Sequence, residues 1–230
     1  MATAYRREYA RLAAKEKVFA DLVSEYGRPD PFVWFDGGRT GSSLFAAMLL
    51  HMVGQRISAV AAFTVYDRIS EAVGGLPTPE GVLALGADRL RGLGLSPAKA
   101  DYVTDLARHQ AARTVDLQAM SGLDDDAVID ALTSVKGVGR WSAQAFLMRQ
   151  LRRPDVLPAE DEGIRRAVRA RWSLTHLPTV GEVRKMSADW SPYRSFASAL
   201  LWKSLYPPGE ASDPKERAVL RAKESSAPKR

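Results

Sequence analysis

Apolar residues recur at helical spacing along almost the whole chain. Ser96-Pro97 reads as an N-cap followed by proline at the first helical position, and Ala98, Tyr102 and Leu106 then recur every fourth residue. Beyond Ser142, the residues Ala143, Phe146, Leu147 and Leu151 mark a second buried stripe. Ile164, Ala167, Val168 and Trp172 form a third, which leaves Arg165, Arg166 and Arg169 for other faces. Asp124 to Leu132 reads as a further helix, and Ala4 to Tyr26 as one at the N-terminus. No run of alternating β-branched residues predicts a strand. Loop signals at Gly27-Arg28-Pro29, Asp36-Gly37-Gly38, Gly74-Gly75, Gly92-Leu93-Gly94, Gly137–Gly139, Pro154 and Pro207-Pro208-Gly209 cut the chain into short helices, roughly ten of them. The fold class is therefore all-α.

Composition removes several chemistries. Hydrophobic residues at 46% and charged residues at 26% are ordinary for a globular chain, and no apolar stretch is long enough to span a bilayer. Arg6, Arg7, Glu8, Lys15, Glu16 and Lys17 make the N-terminus too charged for a secretory signal. Without cysteine there is no disulfide, thiolate zinc site or iron–sulfur cluster, and His51, His109 and His176 are isolated from one another. The formal net charge of +6 fits a polyanionic partner, most often nucleic acid. The end of the chain, Ser225-Ser226-Ala227-Pro228-Lys229-Arg230, reads as a frayed basic tail.

Against that background one stretch carries chemistry. Val135-Lys136-Gly137-Val138-Gly139 is a glycine turn between two helical patterns, followed by Arg140-Trp141-Ser142-Ala143 and, further on, by Pro158-Ala159-Glu160-Asp161. Glycines bring a ligand close to the backbone, and the next helix begins near Arg140 with its free N–H groups facing the same place. A phosphate is the natural occupant. The alternative is an ordinary helix–helix turn; a dinucleotide fingerprint fits worse, because Ser142 stands where its third glycine belongs and no strand precedes the turn. Asp161 likewise has two readings, as a catalytic carboxylate or as the N-cap of the helix it opens.

The turn, Asp161 twenty residues after Trp141, and the segments Val53-Gly54-Gln55-Arg56-Ile57-Ser58, Gly94-Leu95-Ser96 with Lys99, Ala100 and Tyr102, and Trp190-Ser191-Pro192-Tyr193-Arg194-Ser195 together resemble the helix-hairpin-helix DNA glycosylase superfamily. The branch most similar is the alkylation-repair type, 3-methyladenine DNA glycosylase II, in a short form without the extra N-terminal α/β domain of some members. The resemblance covers about Ser42 to Leu205. It implies a two-lobed fold with a DNA-binding cleft between lobes: 42–152 as a central lobe ending in the hairpin, 1–41 with 153–212 as a second lobe carrying the aspartate, and 213–230 as a C-terminal helix and basic tail.

The resemblance also implies roles. Asp161 is the catalytic carboxylate, with Glu160 as second choice. Trp141 and Trp202 line the base pocket, and Ala145, where the family commonly has an aromatic, makes that pocket roomier. Lys136, Gly137, Val138, Gly139 and Arg140 contact phosphate. Gln55 contacts the opposite strand or caps a helix, and Arg56 fills the gap left by a flipped nucleotide. In the bifunctional branch, similar to endonuclease III, a lysine stands at the position of Trp141 and attacks the sugar; tryptophan cannot. The expectation is thus a monofunctional glycosylase for alkylated purines of the 3-methyladenine and 7-methylguanine type, without AP lyase activity. Its partner is double-stranded DNA with a damaged base. It acts as a monomer off the membrane, cytoplasmic at a bacterial nucleoid or nuclear in a eukaryote. No cofactor is required, apart from a structural Na+ or K+ on hairpin carbonyls near Val135 and Val138. A different lesion (hypoxanthine, an oxidised pyrimidine or uracil) and a non-catalytic DNA-binding protein stand as alternatives.

Overall fold

The computed structural model describes residues 5–211 and 213–226, and among these there is no strand. The helices are α1 (Arg6–Lys15), α2 (Lys17–Tyr26), α3 (Leu44–Gly54), α4 (Ala59–Ala72), α5 (Pro79–Gly92), α6 (Pro97–Ala111), α7 (Asp125–Thr133), α8 (Arg140–Arg149), α9 (Glu162–Arg171), α10 (Val180–Met186), α11 (Arg194–Lys203) and α12 (Pro214–Ser226), with 3-10 turns at Ala119–Gly122 and Ser187–Trp190. The chain forms two compact units. One comprises Met1–Trp34 and Leu147–Ser212, the other Phe35–Phe146 and Asp213–Arg230. The boundaries expected from sequence were 41/42 and 152/153, and the segment from Asp213 belongs to the second unit rather than standing alone. Residues 227–230, the end of the expected basic tail, lie outside the described residues.

In the first unit the single N-terminal helix expected from Ala4 to Tyr26 is two helices, broken at Glu16, whose backbone is extended at φ −146° and ψ 136°. The break has a chemical reason. Glu16 accepts the indole N–H of Trp172 at 2.8 Å and that of Trp190, which is fully buried. A buried indole needs an acceptor, and the kink brings the carboxylate to it. Around this point pack Tyr9, Leu12, Phe19, Leu22, Phe196 and Leu200, with Phe19 edge-on to Trp190 at 5.0 Å and Tyr9 edge-on to Phe196 at 5.3 Å.

The second unit is built around α3, which buries Phe45 through Leu50 and then Met52 and Val53. A helix apolar on nearly every side belongs in a core. It packs against α4 and α6, and α6 packs against α5. Ser43, Ser58, Thr78, Ser96 and Asp124 each accept a backbone N–H three residues on, so the cap residues fix where α3 to α7 begin. The stripe expected on α6 is corrected: Ala98 is exposed, and the buried face is Ala100, Val103, Thr104, Leu106 and Ala107. A strict fourth-residue spacing drifts about 40° around the helix at each step, so a short stripe of that kind misjudges the packed face. α12 closes the unit by packing on α4, burying Ala218. Among the described residues no helix is long and apolar enough to cross a membrane.

Candidate active site

The predicted hairpin lies in the second unit between α7 and α8. Gly137 has φ +79°, and a Cβ there would lie 2.3 Å from Cδ2 and 2.5 Å from Cγ of Tyr102. Glycine is thus required twice, by the left-handed backbone and by the tyrosine ring on which the turn rests. Gly139 differs: its backbone is not left-handed, and a Cβ would meet no atom within 4 Å, so nothing within the fold requires glycine there. Three contacts hold the turn. The Lys136 N–H donates to Asp105 Oδ2 at 2.9 Å, and the Val138 N–H donates to the Val135 carbonyl at 3.1 Å. Gln55 Nε2 donates to the Gly137 carbonyl at 3.0 Å. The Lys136 and Val138 amides therefore point into the protein, while the Lys136, Gly137, Gly139 and Arg140 residues are exposed and Val138 is buried.

Gln55 is the C-cap residue of α3, and its backbone N–H donates to the Met52 carbonyl at 3.3 Å. Its side chain reaches the hairpin, a destination that spacing alone does not reveal. Arg56 follows with φ 57°, exposed and left-handed. Trp141, in the first turn of α8, is 40% exposed and stacks on His51 with centroids 5.5 Å apart and planes at 27°. Ala145 is half-buried one turn later. Sequence reading gave His51, Tyr102 and Asp105 no place around the turn. For His51 the available signal was its position one turn before Gln55, which puts both on one face of α3.

Asp161 lies in the first unit, where it is the N-cap of α9. Asp161 Oδ1 accepts the Ile164 N–H at 2.9 Å, the N-cap bond of α9, and the indole N–H of Trp202 at 3.1 Å. Two donors converging on one oxygen fix the plane of the carboxylate. Gly163 is needed beside it, because a Cβ there would come within 2.8 Å of Asp161 Oδ1. Trp202 is half-buried, with the Arg149 guanidinium 5.9 Å from its ring centroid. Glu160, the second-choice carboxylate, is ion-paired with Arg184.

The loop before Asp161 is clamped to α11, the helix that carries Trp202. Asp155 takes Arg194 Nε and Nη2 at 2.8 Å each, the Arg194 N–H at 3.1 Å and the Ser191 hydroxyl at 2.7 Å. Ser195 Oγ accepts the Val156 N–H at 3.0 Å. The segment from Trp190 to Ser195 thus holds the aspartate's approach loop in place. Burial pushes the Asp155 carboxyl up, but its bonds from Arg194 and Ser191 outweigh burial and hold it below the usual carboxylate range. A depressed carboxyl contributes stability above its unfolded pKa and loses it as pH falls through the folded value. Asp155→Asn should therefore cost about 1–2 kcal/mol at pH 7, with the gap narrowing only as pH falls through the folded pKa, below the usual carboxylate range. Urea titrations across pH test this, and a gap that does not narrow at all on acidification from pH 7 would refute it.

Among the described residues no group of three or more histidines and carboxylates could hold a metal ion. The sequence profile of HhH-GPD superfamily base excision DNA repair proteins matches residues 50–192, and the chain belongs to this family. The YfjP protein of Bacillus subtilis is 31% identical over 170 residues, covering 71% of this chain and 59% of YfjP. DNA-3-methyladenine glycosylase 1 of Schizosaccharomyces pombe is 29% identical over 163 residues, 70% of this chain and 72% of that enzyme. The chain thus spans little more than half of the first relative and nearly three quarters of the second. Two of the similar solved structures are DNA-3-methyladenine glycosylases. The S. pombe 3-methyladenine DNA glycosylase in complex with abasic DNA gives a TM-score of 0.72 at 26% identity, covering 86% of this chain and 96% of that one. A DNA-3-methyladenine glycosidase from Bacillus halodurans gives 0.73 at 25% identity, covering 95% and 98%.

Proposed function

We propose that this chain is a monofunctional DNA glycosylase that excises alkylated purines of the 3-methyladenine and 7-methylguanine type and leaves an abasic site. The observation that carries the reading is the Asp161 carboxylate, held at the head of α9 by Trp202 and the Ile164 amide, in a chain with Trp141 where a lyase would carry lysine. A base inside the duplex is out of reach, so the nucleotide is first flipped out. Gly137, Gly139, Lys136 and Arg140 hold phosphate, Arg56 occupies the vacated space, and Trp141 offers its indole face to the base. A cationic base gains about 0.5–2 kcal/mol on an aromatic face, depending on desolvation.

As the bond between C1′ and the base breaks, its electron pair leaves with the base and neutralises the alkylpurine. Water supplies the new C1′–O bond and gives up a proton. Asp161 opposes the positive charge growing on the sugar and orients the water, an electrostatic role that needs a fixed carboxylate. Backbone carbonyls near Val135 and Val138 are neutral oxygen donors, and a carbonyl oxygen has two lone pairs. The Val135 carbonyl, which takes the Val138 N–H, would have a second lone pair with which to hold a Na+ or K+, and such an ion would supply positive charge to the phosphate-binding turn.

Incubation with methylated duplex DNA should release free 3-methyladenine or 7-methylguanine and produce alkali-labile sites in equal amount. Binding without release would overturn the enzymatic reading, and a panel of single-lesion duplexes separates alkylpurines from hypoxanthine, oxidised pyrimidines and uracil. Borohydride should trap no covalent adduct, since no lysine attacks C1′; a trapped species would refute monofunctional chemistry.

A further inference from the structure

Beneath Trp141 lies a connected set of side chains with no part in the reaction as derived so far. His51 Nε2 lies 3.0 Å from Ser142 Oγ, and its imidazole covers one face of the Trp141 indole. Ser142 is only 6% exposed, and its Oγ also accepts from Gln55 Nε2 at 3.4 Å. Gln55 Nε2 in turn donates to the Gly137 carbonyl. One unbroken chain of contacts thus runs from the turn through Gln55, Ser142 and His51 to the indole. The two ends do different work in the function proposed above: Gly137 belongs to the phosphate-binding turn and Trp141 to the base platform.

From this geometry we infer that His51 is a positioning residue for the base platform: it holds the Trp141 indole from below, and Ser142 ties its ring to the turn. An exposed tryptophan with one unsupported face samples several rotamers. A stacked imidazole, itself fixed by a hydrogen bond, removes that freedom before DNA arrives, and preorganisation of this kind lowers the ordering cost of binding the base. The role falls to stacking at the indole and to hydrogen bonding at Ser142, so the two can be separated by substitution. His51→Phe keeps an aromatic plane and loses the hydrogen bond. His51→Gln keeps a hydrogen-bonding head and loses the plane.

The inference rests on Trp141 being the base platform, so its test has one arm that needs no catalysis. The emission of Trp141 is isolated as the difference between the parent and Trp141→Phe, taken in each His51 background. His51→Ala should raise the acrylamide quenching constant of that emission about twofold, because a covered face becomes open, and His51→Phe should leave it near the parent value. In single-turnover base release, His51→Ala should lower the rate constant about tenfold with DNA affinity within about twofold, since the turn keeps its Gln55 contact. His51→Phe should recover most of that loss and His51→Gln little. Unchanged quenching in His51→Ala would overturn the inference whether or not the protein releases bases. Changed quenching with an unaltered release rate would overturn the positioning role while leaving the stack itself intact. If the parent releases no base, the function proposed above fails, and the quenching arm still decides whether His51 orders the indole.

Discussion

Asp161→Asn should release alkylated bases at least about 100-fold more slowly than the parent, while unfolding within about 2 °C of it. The expectation follows from what Asp161 Oδ1 does. It accepts the Ile164 N–H and the Trp202 indole N–H, and an asparagine carbonyl oxygen can accept both. Asparagine caps helices about as well as aspartate, so α9 keeps its start. What is lost is the negative charge that the proposed reaction sets against the developing sugar cation. Asp161→Ala separates the two roles: it should be as inactive as the asparagine variant and also less stable by about 1 kcal/mol, because the cap is gone. Thermal unfolding beside single-turnover base release measures both. Equal release by parent and Asp161→Asn would end the catalytic assignment, and Glu160, held by Arg184, would have to be tried next.

Gly137→Ala should weaken DNA binding at least about tenfold and cost about 2 kcal/mol of stability. Part of the cost is a left-handed backbone forced on a residue with Cβ. The rest is the Tyr102 ring, which would have to yield at Cγ and Cδ2, atoms close to its own backbone. Gly139→Ala is the informative contrast. Its Cβ meets nothing, so stability should change by less than about 0.5 kcal/mol, and any loss of affinity reports crowding at the ligand side of the turn. Fluorescence anisotropy with labelled duplex, run at several salt concentrations, should show a shallower salt dependence for Gly137→Ala, because fewer phosphates are held. Parent-like affinity in that variant would remove the hairpin from the DNA interface.

Much of the fold was legible because helix starts are chemical. Ser96 stands where a cap belongs, and the structure begins α6 just after it; Asp124, read as the first residue of its helix, is the N-cap of α7. The reading failed at Glu16, where nothing in the local pattern breaks a helix. The break answers to Trp172 and Trp190, more than 150 residues away in sequence, and only folding brings them near. The site divides along the same line. The glycines of the turn, Trp141 and the carboxylate at a helix start are local signals, so they could be singled out in advance. Tyr102 under Gly137, Asp105 on the Lys136 amide and His51 beneath Trp141 are contacts across the second unit, and periodicity has nothing to say about them. The two glycines also looked equivalent in sequence. Only φ and what a Cβ would touch tell them apart: Gly137 is required by its backbone and by Tyr102, whereas a Cβ at Gly139 meets nothing.

Arg56 is one of five non-glycine residues with positive φ among those described, and it directly follows the residue that grips the hairpin. A left-handed backbone costs an arginine roughly 1 kcal/mol, which folding of the surrounding unit must absorb. For the role proposed for Arg56 inside a DNA stack, the consequence is entropic. The main-chain search for the bent conformation is complete before any nucleotide turns out, so insertion need immobilise only the arginine's side-chain torsions. In that role, a damaged base that opens only briefly would meet a loop whose main chain is already bent.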